Sequence, residues 1–485
     1  MTVFITEGGL CLVFSSLIFV FLFLVANILT QMFVPSIKAK NIVMLCFSLF
    51  FYSWGGVQYV FLLTGMTFIC WIFALLIDRA KIAQRRPKGL LVLCVTLVLL
   101  ILGIFKYTGF FMKNLQLLTG FPEVIPQIAL PIGISFYTFQ LLSYVVDVYR
   151  GDAEVQRQYW LLLLYASLFH QCIAGPIVRY RDVSHDITER KVKMSELSTG
   201  ITRFTVGLAK KAVLANGCAA VADALLAGQT LAETSVLGMW LGMICFTLQI
   251  YLDFSAYSDM AIGMGLMCGF HYKENFNYPY VADSITDFWR RWHISLSSFF
   301  RDYVYIPLGG NRCSKARHIF NLFVVWGLTG MWHGASWNYI FWGLYYFIFL
   351  VIEKYLVDTG RIAKPLRHLL TMLVVVFGWV LFKFEDMGLL GTALKGMFGL
   401  NGNAFTAMSS RLLFSNNYLF LIFCIIAVTP LGKTLVNMVR RLARENTVWL
   451  WVHNIWDMAS PVLLLFISMM ALAGDSYNPF LYFQF

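Results

Sequence analysis

Charge is scarce in this sequence. Of its 485 residues only 13% are Asp, Glu, Lys or Arg, whereas 59% are hydrophobic and the mean hydropathy is +0.71. A soluble domain has no use for that much apolar surface, so that class is excluded. Period-two alternation is also missing: the apolar runs are continuous, which excludes a transmembrane β-barrel. Cysteine pairs are missing too. Ten cysteines stand singly, at Cys11, Cys46, Cys70, Cys94, Cys172, Cys218, Cys245, Cys268, Cys313 and Cys424, with no C-x-x-C among them. Most lie in apolar runs, where a thiol behaves as a small hydrophobe, so no disulfide framework is implied. No His/Asp/Glu cluster has metal-ligand spacing, no glycine loop is built to cradle phosphate, and no G-x-S-x-G elbow occurs. The opening MTVFITEGGLCLVF lacks the basic region of a cleaved signal.

What remains is an all-α polytopic membrane protein, because only helices close their own backbone hydrogen bonds in lipid. At about 20 apolar residues per span the chain holds about eleven transmembrane helices, with further re-entrant or short ones. The net charge of +12 sits in short clusters between apolar runs. That pattern orients a membrane protein by the positive-inside rule and is no footprint for nucleic acid. A first span from Cys11 to about Phe33 precedes Lys38 and Lys40. Runs ending near Trp54 and covering Tyr59–Ile77 precede the densest basic loop, Arg79 to Lys88. Both loops face the cytoplasm only if the N-terminus is external. A span over Leu90–Phe105 and a mixed, interfacial connector lead to Pro131. The apolar stretch Trp160–Ile177 is broken by Gly175-Pro176 and reads as re-entrant, since irregular backbone at membrane depth must be buried in protein or line a cavity. A weakly polar, glycine-rich loop covers about 386–410, and a last span, Val448–Leu472, leads away from Lys433 to Arg444, placing GDSYNPFLYFQF outside. No repeat or linker separates domains. The chain reads as one membrane domain over 1–485, with N-terminal helices to about 130, a core over 131–350, and C-terminal helices with an external tail.

Ionisable groups inside such a chain are expensive and are functional candidates by default. The densest group lies between Asp287 and Trp342, where His293 and His333 stand among tryptophans and glycines with Arg290, Arg291, Arg301 and Asp302 nearby. In GMWHGASW, Gly330 and Gly334 allow a ligand or a second helix to approach the His333 imidazole. A neutral imidazole is suited to take a proton from a hydroxyl near neutral pH; hydrogen bonding between helices is the competing role. Asp253 and Asp259, six residues apart in YLDFSAYSDMAIGMG, face different sides of a helix and need separate partners. Structural bonding, catalysis and an ion-coupled transporter or flippase are all open to them.

Six longer stretches stand out: PIGISFYTFQLLSYVVDVYRGD (131–152), IAGPIVRY (173–180), YLDFSAYSDMAIGMGLM (251–267), NFNYPYVADSITDFWRRWHISLSSFFRDYVYIPLGGNR (275–312), GMWHGASWNYIFWG (330–343) and SYNPFLYFQF (476–485). Together they resemble the membrane-bound O-acyltransferase family, in particular its bacterial branch that acetylates exported polysaccharides such as alginate. The resemblance implies a ring of helices around a thinned centre with a tunnel joining cytoplasmic and external funnels. It puts the family's invariant histidine on His333 and its supportive histidine on His293. It implies no bound cofactor, and a donor thioester, acetyl-CoA or an acyl-carrier thioester, entering from the cytoplasm. Arg290, Arg291, Trp332, Asn338, Asp253, Ser255 and Asp259 are the candidates for lining the substrate path. FLYFQF further resembles the aromatic motif of partner peptides in teichoic-acid D-alanylation, which makes Tyr482 a candidate acyl relay to an exported SGNH-type acetyltransferase or another polysaccharide-modification protein; an aromatic-belt anchor is the other reading of it. Residence in the cytoplasmic (inner) membrane follows, with D-alanyl or peptidoglycan O-acyl transfer as the alternative chemistry within the family.

Overall fold

Backbone in hydrocarbon has no water to bond, so each span must satisfy itself. The computed structural model describes residues 13–122, 124–126, 128–173, 175–474 and 480–481, and every regular element among them is helical. Among the described residues seven helices are long and apolar enough to cross a membrane: Val57–Ile82, Lys88–Thr119, Met194–Leu226, Val236–Met267, Lys364–Lys383, Met408–Ala427 and Thr447–Gly474. Phe19–Phe33 is a shorter apolar helix. The protein is a multi-pass helical membrane protein.

Two sequence expectations change. The span from Leu90 does not stop at Phe105, because Lys88–Thr119 continues as helix through FKYTGFFMKN. The polar side chains there bond back along the helix, as Thr108 Oγ1 does to the Ile104 carbonyl at 2.7 Å and Asn114 Nδ2 to that of Phe110 at 2.7 Å. The glycine-rich region after residue 386 is not all loop either. Helix Met387–Met397 starts there because the Asp386 carboxylate accepts from Leu389 N at 2.9 Å, an N-cap contact invisible to hydropathy.

The chain divides into two compact units, Met1–Phe204 with Met260–Glu274 and Thr205–Asp259 with Asn275–Phe485. In the first, helix Tyr159–Ser167 ends well before Gly175-Pro176, and the described residues between 168 and 179 are non-helical and buried. Irregular backbone is thus enclosed in protein, as a low-dielectric setting demands. Arg190 ties this unit together. Its guanidinium donates to Asn41 Oδ1 and, at 3.0 Å, to the Cys268 carbonyl, and lies 4.5 Å from the centre of the Phe270 ring.

In the second unit, helices Lys315–His333 and Trp337–Tyr355 meet backbone to backbone. A Cβ on Gly330 would lie 2.4 Å from the Tyr339 carbonyl oxygen, and one on Gly343 2.4 Å from that of Trp326. Small residues permit such close crossings, which dispersion then stabilises. Around the crossing Trp289, Trp326, Trp342 and Tyr346 pack edge to face and tilted, with Trp289 centred 4.7 Å from Trp326 and 4.8 Å from Tyr346. Gly330→Val must drive the helices apart and is expected to cost about 1–3 kcal/mol, the usual range for overpacking. Gly327→Ala, one turn earlier with nothing within 4 Å of its Cβ, should be neutral or slightly stabilising. Thermal unfolding in detergent compares them, and equal effects would remove the crossing as a determinant.

Candidate active site

The approach to the site is built from backbone bonds. Glu353 accepts from Ile285 N at 2.6 Å and Thr286 N at 3.0 Å, and Ser284 Oγ accepts from Asp287 N at 3.0 Å, which starts helix Ile285–Arg291 at a fixed point. The Asn275 carbonyl accepts from Ile294 N at 2.9 Å, while its side-chain oxygen accepts from Ser295 N and Oγ at 3.1 and 2.8 Å. Between that helix and the next, Ile294–Phe300, these bonds hold His293 at φ +44°, a left-handed conformation. Such strain persists only where the surroundings over-determine it. The His293 ring is buried against Phe254, centroid to centroid 4.8 Å, and Trp332, 5.7 Å. Its Nδ1 lies 3.4 Å from Ser295 Oγ, and its Nε2 has no hydrogen-bond partner among the described residues. This junction lies outside the candidate spans, and burial pushes the imidazole well below its ordinary pKa, so the ring is neutral.

His333 is the last residue of its helix and only 6% exposed. Its ring packs edge-on against Trp342 at 4.8 Å, Trp332 at 5.0 Å and Phe382 at 5.2 Å. Trp332 therefore touches both imidazoles. Together with Asp253, Phe254, Trp292, Phe382, Trp379, Ile250 and Leu481, His333 lines a small, narrow cavity. Its walls are aromatic and aliphatic apart from the imidazole and one carboxylate.

That carboxylate is paired. Asp253 Oδ1 lies 2.7 Å from Lys211 Nζ, both side chains essentially buried, and Asp253 Oδ2 accepts from Leu481 N at 2.7 Å. Asp259 has a different partner, Lys210, at 2.6 Å and nearer the surface. Ser255 is buried and bonds its own helix at the Leu252 carbonyl. Asn338 donates to the carbonyls of Leu381 and Phe382, both at 3.3 Å, closing the end of helix Lys364–Lys383 and presenting Phe382 to His333. Arg291 bonds Asp287 at 2.8 Å and Arg290 is exposed; neither lines the cavity. Tyr482 lies outside the described residues. The structure thus brings His333 and Asp253 to one cavity, with Trp332 and His293 packed behind it, and leaves Arg290, Arg291, Asn338, Ser255 and Asp259 off its wall.

Sequence reasoning missed Lys211, which reads as one of a basic group opening an otherwise apolar run. Lys210–Ala215 is a π-helical turn that rotates this lysine inward. The available signal was Asp253 itself, whose burial requires a cation. The apolar walls, Trp292, Phe254, Trp379 and Ile250, carry no sequence signal that separates them from other core residues.

The description of the membrane-bound O-acyltransferase family matches residues 158–386, a stretch that contains both histidines and most of the cavity wall. The probable alginate O-acetylase of Pseudomonas aeruginosa is 42% identical over 393 residues, 80% of this chain and 75% of that protein. That of Pseudomonas putida is 36% identical over 98% of this chain and all of the relative. The peptidoglycan O-acetyltransferase of Helicobacter pylori is 33% identical over 98% of each. Similarity of this extent, with a buried imidazole at the wall of a cavity inside the matched stretch, makes this chain a member of the membrane-bound O-acyltransferase family and an O-acyltransferase.

Proposed function

We propose that the protein transfers an acetyl group from a cytoplasmic thioester, acetyl-CoA or an acyl-carrier thioester, to a hydroxyl on the external side, for O-acetylation of an exported polysaccharide. One observation carries the reading: His333 ends its helix inside a cavity walled by aromatic side chains. The imidazole takes the acceptor's proton as its oxygen forms a bond to the thioester carbonyl carbon. The carbon–sulfur bond breaks, and the thiolate leaves with the proton returned by the imidazolium. Apolar walls keep water from the thioester.

On this reading a ring of about eleven transmembrane helices with re-entrant pieces forms a single membrane domain around a tunnel. The protein resides in the inner membrane with both termini external, as the basic clusters between spans support. The names of the two Pseudomonas relatives make an alginate-like polysaccharide the favoured acceptor class. Tyr482 follows Leu481, a residue of the cavity wall. Its phenolic oxygen would accept the acetyl group first, as a tyrosyl ester, and an exported SGNH-type acetyltransferase would then pass it to the glycan and regenerate the phenol. A second acceptor, peptidoglycan, is favoured by the full-length similarity to the Helicobacter pylori enzyme.

Loss of a general base costs about 10²–10⁴ in rate, so His333→Ala should empty the exported glycan of acetyl ester while the protein remains in the membrane. A transporter would keep most of its function in that variant. Ester measured separately in secreted polysaccharide and in peptidoglycan assigns the acceptor. Tyr482→Phe is expected to match His333→Ala; full ester content in the tyrosine variant would eliminate the relay and leave direct transfer to the glycan.

A further inference from the structure

The segment Phe480–Leu481 touches the His333 cavity through a buried ion pair and not through apolar contact alone. Asp253 divides its two oxygens, Oδ1 toward Lys211 Nζ and Oδ2 toward the Leu481 amide, each at 2.7 Å. Lys211 Nζ in turn sits 4.8 Å from the centre of the Phe480 ring, and Phe480 meets Tyr257 edge to face at 4.8 Å. Phe480 is 1% exposed, and Leu481 contributes to the cavity wall beside Asp253 and His333. We infer that Lys211 and Asp253 form a clamp that seats the Phe480–Leu481 segment, in one register, in the wall of the His333 cavity, and are therefore positioning residues for that segment.

The register argument is geometric. An apolar groove accepts an apolar segment slipped by one residue with little penalty, because the hydrophobic effect has no direction. A carboxylate lone pair aimed at an amide hydrogen and a cation over a ring face do have direction. Sliding the segment one residue, about 3.8 Å, breaks both contacts together. A buried ion pair adds little net stability over apolar packing of the same volume, so its contribution here is placement. The inference rests on the reading of the His333 cavity as the transfer site but does not require Tyr482 to be acylated.

The test places a photo-cross-linker on the segment, Phe480→4-benzoylphenylalanine in the full-length chain, irradiated in membranes and mapped by mass spectrometry. Cross-links are expected within residues 205–259, at or near Lys211 and Tyr257. The double variant Lys211→Met/Asp253→Leu removes both charges and strands neither, so it is expected to fold. The cross-link yield should fall about tenfold in it, the loss expected for one charge-assisted hydrogen bond. Lys211→Arg, which keeps both charges and leaves Asp253 to accept from the Leu481 amide, should keep most of the yield and guards against a folding defect. Undiminished yield in the double variant, or cross-links outside 205–259 in the parent, would overturn the clamp. Repeating the series in Tyr482→Phe separates the two ideas. A yield that still depends on the pair keeps the clamp even where ester transfer shows the relay to be absent.

Discussion

Where Gly330 faces Gly343, two helices come together with no side chain between them, and the placement of His333 depends on that contact. Three residues past Gly330 the helix ends at the imidazole, and the returning helix begins at Trp337. Because the axes are close, Trp342 lies against the His333 ring and Asn338 reaches the carbonyls at the end of helix Lys364–Lys383. That bond sets Phe382, and Trp379 one turn before it, against the cavity. A single backbone contact thus places the His333 ring and much of its apolar surroundings. A larger residue at either glycine would move all of them together.

The electrostatics of the same unit follow a similar economy. Two carboxylates six residues apart on one helix are separated by about 9 Å along its axis. Two consecutive lysines answer them, each taking one. The Lys210–Asp259 pair is partly exposed, where solvent and salt reduce an ion pair to about 0–1 kcal/mol. The Lys211–Asp253 pair is fully enclosed, and removing one partner alone there costs about 3–5 kcal/mol because the other is left charged and unsolvated. Equal chemistry in unequal surroundings therefore separates a surface contact from a structural commitment beside the cavity.

Much of this was legible in the residues themselves. Continuous apolar runs announced helices and a membrane, and the stretch around His333 carried a family likeness that the relatives share. Other features were hidden for identifiable reasons. Hydropathy ends a span where polar residues begin, yet Thr108 and Asn114 bond back to their own helix and let Lys88–Thr119 run on. A capping aspartate, Asp386, turned a glycine-rich stretch into a helix. Lys211 is turned inward by a π-helical turn, and a linear pattern of charges says nothing of that rotation. Arg290 and Arg291, conspicuous in sequence, hold the approach helix or face outward, since a charge near a site in the chain need not point into it.

The two histidines differ in what their surroundings permit. His333 ends its helix and lines the cavity. His293 sits one layer back. Phe254 and Trp332 pack against its ring at steep angles, and Phe254 and the neighbouring Trp292 belong to the cavity wall. Burial holds it neutral, and a left-handed backbone, locked by Asn275, holds it still. The left-handed turn at His293 joins helix Ile285–Arg291 to helix Ile294–Phe300, directly after Trp292 of the cavity wall.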